Sequence, residues 1–168
     1  MPERHPHDPA APLAARFGWL TVSDTRTAAT DSAGDLATTM IEAAGHTLVE
    51  REIVPDEPEI VRDRVQDWIA AGTVQAVVAS GGTGISRRDR TYEALVGLLE
   101  QRLDGFGELF RMLSWEQVGS KALLSRATAG IVRGTPLFLL PGSRAAVELG
   151  LGRLILPEIG HLVTELTK

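Results

Sequence analysis

Cysteine is absent from the 168-residue chain. That excludes disulfides, thiolate–zinc sites and a cysteine nucleophile. Long apolar runs are missing as well: none reaches the ~18 residues needed to cross a bilayer. The N-terminus carries no charged-then-apolar leader, so a cytoplasmic protein with no membrane partner is expected. Nor is there an excess of positive charge. Lys and Arg number 17 against 22 Asp and Glu, a net −5 at pH 7. Bulk binding to nucleic acid or to an anionic membrane therefore has no electrostatic support. A local anion site stays open, because backbone N–H groups bind anions without net positive charge.

What is present is ordinary globular composition, 43% hydrophobic and 23% charged, which argues against disorder across the whole chain. The length suits one domain that buries about 70% of its extended surface. Residues 1–15 differ. Pro2, Pro6, Pro9 and Pro12 lie among His and small residues with no apolar period, which predicts a disordered tail. His5 and His7 in it are too few for a specific metal site. Residues 16–168 then form the single folded domain.

Residues 17–23 form a short apolar run ending in Ser23-Asp24-Thr25, which reads as a buried strand and a loop. Asp31 and Ser32 offer capping oxygens to a helix that Gly45 stops. A second strand spans 47–54, and Pro58 suits the first turn of a helix closed by Gly72. A third strand, 75–80, has an Ala76-Val77-Val78-Ala79 core that is apolar on both faces, as in a parallel sheet covered by helices. This β-α-β-α-β order predicts a wound α/β sheet. Further on, Thr91 is expected to cap a helix over 92–99, and 105–119 reads as short helical turns. Strands are expected at 128–132 and 136–140, then a helix over 145–156 that Pro157 interrupts.

Ligands of open α/β sheets bind at the carboxyl ends of the strands. Four loops lie there: Ser23-Asp24-Thr25, Pro55-Asp56-Glu57, Gly81-Gly82-Thr83-Gly84 through Asp89, and Pro141-Gly142-Ser143. The glycine loop can form an anion nest. It is neither a Walker A motif, lacking Gly-Lys-Ser/Thr, nor a dinucleotide fingerprint, since Arg87 occupies the third glycine's place. Asp56 and Asp89 each either serve a helix N-terminus or hold Mg²⁺ against a phosphate. Ser143 precedes a helix whose free N–H groups make a second potential phosphate site. Ser125-Arg126 could donate hydrogen bonds. His46 and His161 complete no hydrolase triad.

These pieces have a shared resemblance. They are Thr21-Val22-Ser23-Asp24-Thr25-Arg26, Asp31-Ser32-Ala33-Gly34, Val54-Pro55-Asp56, Ser80-Gly81-Gly82-Thr83-Gly84-Ile85 and Arg88-Asp89-Arg90-Thr91. They continue with Gly105-Phe106-Gly107-Glu108-Leu109-Phe110-Arg111, Leu124-Ser125-Arg126-Ala127, Ala129-Gly130 and Leu140-Pro141-Gly142-Ser143. In order and spacing the chain resembles the MoaB/MogA family of molybdenum cofactor biosynthesis proteins from about residue 17 to 161. Met112-Leu113-Ser114 after Arg111 is similar to its MoaB branch. Ser80, Glu57 and Tyr92 depart from residues common in the family, and none of these departures removes a candidate catalytic group.

The resemblance implies an α/β three-layer sandwich, with a mostly parallel central sheet and helices on both faces, assembled as homo-trimers or homo-hexamers. It implies molybdopterin as substrate, ATP as co-substrate and Mg²⁺, with adenylylated molybdopterin and pyrophosphate as products. A further implied partner is the molybdate-inserting protein of the pathway. The family's catalytic carboxylates match Asp56 and Asp89, which are also the Mg²⁺ candidates. Positions lining its ligand cleft match Ser23, Asp24, Gly81, Gly82, Thr83, Gly84, Glu108, Ser125, Pro141, Gly142 and Ser143. A phosphate nucleophile is already ionised at neutral pH, so both aspartates are expected to act through Mg²⁺ or positioning rather than proton abstraction. The alternative is a non-catalytic molybdopterin-binding or assembly protein of the same pathway. A nucleotide pyrophosphatase of related fold ranks last, because that group carries a different glycine loop.

Overall fold

The computed structural model describes residues 13–168. Residues 1–12 of the expected tail, with His5 and His7, lie outside the described residues. Ala15, assigned to that tail by the sequence, is fully buried and donates its N–H to His46 Nδ1 at 3.1 Å. Strand pairing starts here, since the Ala15 carbonyl accepts from Thr47 N.

Every residue of β1 (Arg16–Val22) after the first is buried. Phe17 and Trp19 enter one apolar core, Leu20 and Val22 the other, as a strand covered on both faces requires. The remaining strands are β2 (Thr47–Val54), β3 (Ala76–Ser80), β4 (Gln101–Arg102), β5 (Thr128–Val132) and β6 (Thr135–Leu140). Their order in one sheet is β2-β1-β3-β6-β5-β4. The first four in that order are parallel; β5 runs antiparallel to β6, and β4, antiparallel to β5, returns to the direction of the first four. The sheet is therefore mixed, and β4 has no counterpart in the sequence reading. A hairpin through Arg133 (φ 48°) and Gly134 (φ 75°) forces the β5–β6 reversal.

One core joins the sheet to α1 (Ser32–Ala43), α4 (Asp104–Val118), α5 (Arg144–Leu149) and α6 (Leu156–Leu166). The other joins it to α2 (Pro58–Ala71) and α3 (Thr91–Val96). The result is the expected three-layer α/β sandwich. Asp31 caps α1 by accepting from Gly34 N at 3.1 Å. Its other oxygen, Oδ2, accepts from Thr21 Oγ1 at 2.9 Å and Arg51 Nη2 at 3.1 Å, which pins the helix start to the sheet.

Three helical expectations need correction. Thr91 opens α3 but does not cap it; its hydroxyl bonds elsewhere, as described below. Residues 104–118 are one continuous helix rather than separate turns. Phe106, Phe110 and Leu113 form its buried stripe, while exposed Leu109, Met112, Trp115 and Val118 form a second apolar stripe that hides the helical period. Pro157 breaks nothing. A π-helical segment, Gly150–Ile155, joins α5 to α6, and Leu156 N reaches back five residues to Leu151 O. The looser winding places Pro157, which has no N–H, in the first turn of α6.

Candidate functional site

The carboxyl ends of β1, β3 and β6 meet through glycine. Gly81 (φ +103°) lies where a Cβ would sit 2.2 Å from Val22 O, and a Cβ on Gly142 would sit 3.3 Å from Gly81 Cα. Gly81 N donates to Leu140 O at 2.9 Å, closing β3 onto β6. Any side chain at Gly81 would push these strand ends apart.

Above them opens a cavity of about 440 Å³. Gly81, Gly82, Thr83, Gly84, Asp89, Ser125, Pro141, Gly142 and Ser143 all line it, so most of the sequence-derived site residues converge. Phe110, Ser114, Gln117 and Lys121 line it as well. The sequence reading assigned none of these four to the site. Phe110, Ser114 and Gln117, spaced by 4 and 3, share one face of α4, legible only once that helix is recognised as continuous, whereas Lys121 lies in the 3-10 segment Gly119–Leu124 beyond its end. Lys121 is the one cationic side chain lining the cavity among the described residues.

The glycine loop divides its polar groups between protein and cavity. Gly82 O accepts from Thr91 N at 3.1 Å, and Thr83 O from Arg126 Nε at 2.9 Å. Gly84 O accepts from Arg126 Nη2. The N–H groups of Gly82, Thr83 and Gly84 meet no acceptor among the described residues. Backbone donors without partners in a cavity wall are an anion nest in waiting. Ser143 Oγ accepts from Ala146 N at 3.1 Å, so one of the helix N–H groups expected to meet a ligand is already satisfied.

The two carboxylates have different surroundings. Asp89 lines the cavity; its Oδ2 accepts from Ser86 Oγ at 2.6 Å and Ser86 N at 3.2 Å. Its Oδ1 meets no donor among the described residues. Asp56 is buried beneath the loop and does not line the cavity. It accepts from Thr91 Oγ1 at 3.1 Å and from Arg90 N at 3.3 and 3.4 Å, so it serves the start of α3 rather than its own helix. Burial pushes its pKa up, the Arg90 and Thr91 bonds pull it back, and the charges of Asp89 and Asp24 push it further up.

Ser23, Asp24 and Glu108 also lie off the cavity. Ser23 Oγ accepts from Thr25 N and Arg26 N at 3.2 and 3.0 Å, forming a local turn. Asp24 takes both nitrogens of an Arg88 fork at 2.6 and 2.9 Å and accepts from Asp56 N at 3.1 Å. The Arg88 bonds hold its pKa down to about 2. Glu108 is exposed on α4.

No group of three or more His, Asp or Glu that could hold a metal occurs among the described residues. Mg²⁺ delivered with a nucleotide needs only one or two carboxylates beside the phosphates. Asp89, with a free oxygen in the cavity, fits that role. Asp56, with its oxygens committed to α3, does not reach the cavity as it stands. No described helix is long and apolar enough to cross a membrane.

Comparison with known proteins identifies the family. Residues 18–161 match the family described as a probable molybdopterin binding domain. Molybdenum cofactor biosynthesis protein B of Bacillus subtilis (strain 168) is 46% identical over 167 residues, covering 96% of each chain. A crystal structure of molybdenum cofactor biosynthesis protein B superposes with a TM-score of 0.91 at 44% identity, over 94% of this chain and 99% of that one. The tungsten cofactor synthesizing protein MoaB from Pyrococcus furiosus gives 0.84 at 37% identity, over 94% and 100%. Family model, relatives and fold converge: this chain belongs to the MoaB branch of the MoaB/MogA family of molybdenum cofactor biosynthesis proteins.

Proposed function

We propose that this protein acts in molybdenum cofactor biosynthesis by binding molybdopterin, with the pterin phosphate on the glycine loop. The observation that carries the reading is the run of unpartnered N–H groups at Gly82, Thr83 and Gly84 in the cavity wall. Lys121 adds a compensating charge, and Phe110 with the side chains of Ala145 and Ala146 offers an apolar wall for the ring system. On this reading the protein holds or delivers molybdopterin to the molybdate-inserting step. The exposed apolar stripe of α4 supports assembly as a homo-trimer or homo-hexamer.

A second reading is adenylylation with Mg-ATP, and the free Oδ1 of Asp89 favours it. The pterin phosphate would attack the α-phosphorus of ATP in line, and pyrophosphate would leave. Asp89 would hold Mg²⁺, which supplies neutralisation of the phosphate charge. The loop N–H groups would fix the attacking phosphate. Asp56 would act at one remove, by fixing Arg90 and Thr91 and through them the loop.

Purified protein, molybdopterin, Mg²⁺ and ATP, followed by mass spectrometry, separates the readings. Stoichiometric binding without adenylylated product is expected of the carrier. Product that disappears in Asp89→Ala would establish the enzyme instead. Absence of binding to molybdopterin would refute both.

A further inference from the structure

Arg126 sits just after a cavity residue, Ser125, yet does not line the cavity itself. Its guanidinium is spent on the glycine loop instead. Nε donates to Thr83 O at 2.9 Å, and Nη2 to Gly84 O and, at 3.4 Å, to Asp89 O. The remaining nitrogen, Nη1, pairs with Glu93, and the ring of Tyr92 lies 4.6 Å from the guanidinium carbon. The segment carrying Arg126 is itself held. Arg111 from α4 donates to Ala127 O at 3.0 Å and Ser125 O at 3.4 Å.

A peptide unit is planar and trans, so its C=O and the following N–H point in opposite directions. Fixing the carbonyls of Thr83 and Gly84 towards Arg126 turns the N–H groups of Gly84 and Ile85 away from it. The Thr91 bond to Gly82 O does the same for the N–H of Thr83. Glycine permits a peptide unit to flip at little steric cost. Unrestrained, the Thr83–Gly84 unit could point its carbonyl into the cavity, where it would repel a phosphate. A point charge would not prevent this. A planar fork that grips two successive carbonyls does.

We propose that Arg126 is a positioning residue that sets the polarity of the glycine loop, so that it presents N–H groups rather than carbonyls to an anionic ligand. The proposal rests on the reading of the cavity as a phosphate-binding site. Arg126 touches no ligand; it acts through the loop and, by Asp89 O, on the backbone of the cavity carboxylate.

Two measurements test it on the full-length protein. The first is amide hydrogen exchange at Thr91, whose N–H is bonded to Gly82 O, with Gln75, bonded to Arg16 O at the opposite end of the sheet, as a distant control. Arg126→Ala should speed exchange at Thr91 and leave Gln75 unchanged. The second is titration with molybdopterin. Arg126→Ala should weaken binding by about tenfold or more, the scale of lost charge-assisted bonds. Arg126→Lys, which keeps the charge and loses the fork, should recover only part of it. Full recovery by lysine would make the effect one of charge and overturn the proposal. So would unchanged exchange and affinity in a folded Arg126→Ala. If that variant does not fold, Tyr92→Leu combined with Glu93→Gln loosens the same guanidinium while its carbonyl bonds remain. The pair should show a smaller loss in the same direction, and wild-type affinity there would count against the proposal. A wild type that ignores molybdopterin overturns the functional reading alone, and the exchange measurement then decides the role of Arg126.

Discussion

Replacing Gly82 with alanine adds one methyl group at the most crowded point of the site. Two costs can be worked separately. The residue has φ +66°, and a left-handed conformation costs an alanine about 1–2 kcal/mol. The new Cβ would then stand 2.1 Å from Thr91 Oγ1 and 2.7 Å from Asp56 Oδ2. Both partners are buried, so neither can swing into solvent. Relief requires parting the Thr91 hydroxyl from the Asp56 carboxylate, a charge-assisted bond of about 1.5–3 kcal/mol. The sum is about 2.5–5 kcal/mol. At ~2–4 °C per kcal/mol for a chain of this size, the melting temperature should fall by about 5–20 °C. Gly72→Ala isolates the first cost, since Gly72 has φ +70° and nothing within 4 Å of its Cβ position. Urea unfolding of both variants gives the difference directly. Thr91→Ala supplies a further check: it removes the group struck by the methyl, so its cost and that of Gly82→Ala must fail to add. Equal destabilisation by Gly72→Ala and Gly82→Ala, or strict additivity with Thr91→Ala, would refute the reasoning.

The carboxylates carry opposite pH signatures. Asp24, held at about 2 by Arg88 against an ordinary 3.8, contributes stability that is present above 3.8 and lost as pH falls towards 2; Arg88→Gln should remove that acid limb in a pH series of unfolding curves. Asp56, raised above 3.8 by burial, favours the fold most when protonated, a contribution lost as pH rises through its folded pKa; a carboxyl ¹³C titration midpoint below 3.8 would contradict this. Asp89→Asn removes negative charge beside the loop, so molybdopterin should bind as tightly or more tightly while any ATP-dependent turnover is lost, and weaker binding in calorimetry would argue against the assigned position of the phosphate. Trp115, 62% exposed on the apolar stripe of α4, should be covered in the assembly; Trp115→Glu is expected to reduce the sedimenting mass to that of one chain, and an unchanged mass would place the interface elsewhere.

The fold was most legible where one element has one apolar face or two. β1, β2, α2 and β3 were bounded to within a residue or so by strand burial, by Pro58 and by Gly72. It was least legible where chain-local signals conflict with tertiary demands. Gly105, Gly107 and a doubled apolar stripe made α4 look broken. Gly107 is instead a close-approach position, where a Cβ would meet Ala127 O at 2.7 Å. Two-residue β4 carries too little pattern to be seen at all. Pro157 is tolerated through a π-helical turn, and nothing in the local sequence announces that winding.

Two of the four expected loops, the glycine loop and Pro141-Gly142-Ser143, line the cavity because topology alone brings those strand ends together, while the Ser23 and Asp56 loops lie off it. The roles of the loop side chains were not legible, because residue type does not say which oxygen is already committed. Asp56 and Asp89 look alike in sequence, each a carboxylate before a helix. In the fold their surroundings differ: Asp56 is buried off the cavity and accepts from Arg90 and Thr91, and Asp89 lines the cavity with one oxygen free. A pair of metal ligands would have to face one space. Here Asp56 fixes Thr91 and Thr91 fixes Gly82 O, which on the proposed reading turns the N–H of Thr83 towards an anionic ligand. On that reading, molybdopterin binding needs Asp56 as much as adenylylation would. Its presence in the chain does not distinguish a carrier from an enzyme, and that distinction rests on Asp89.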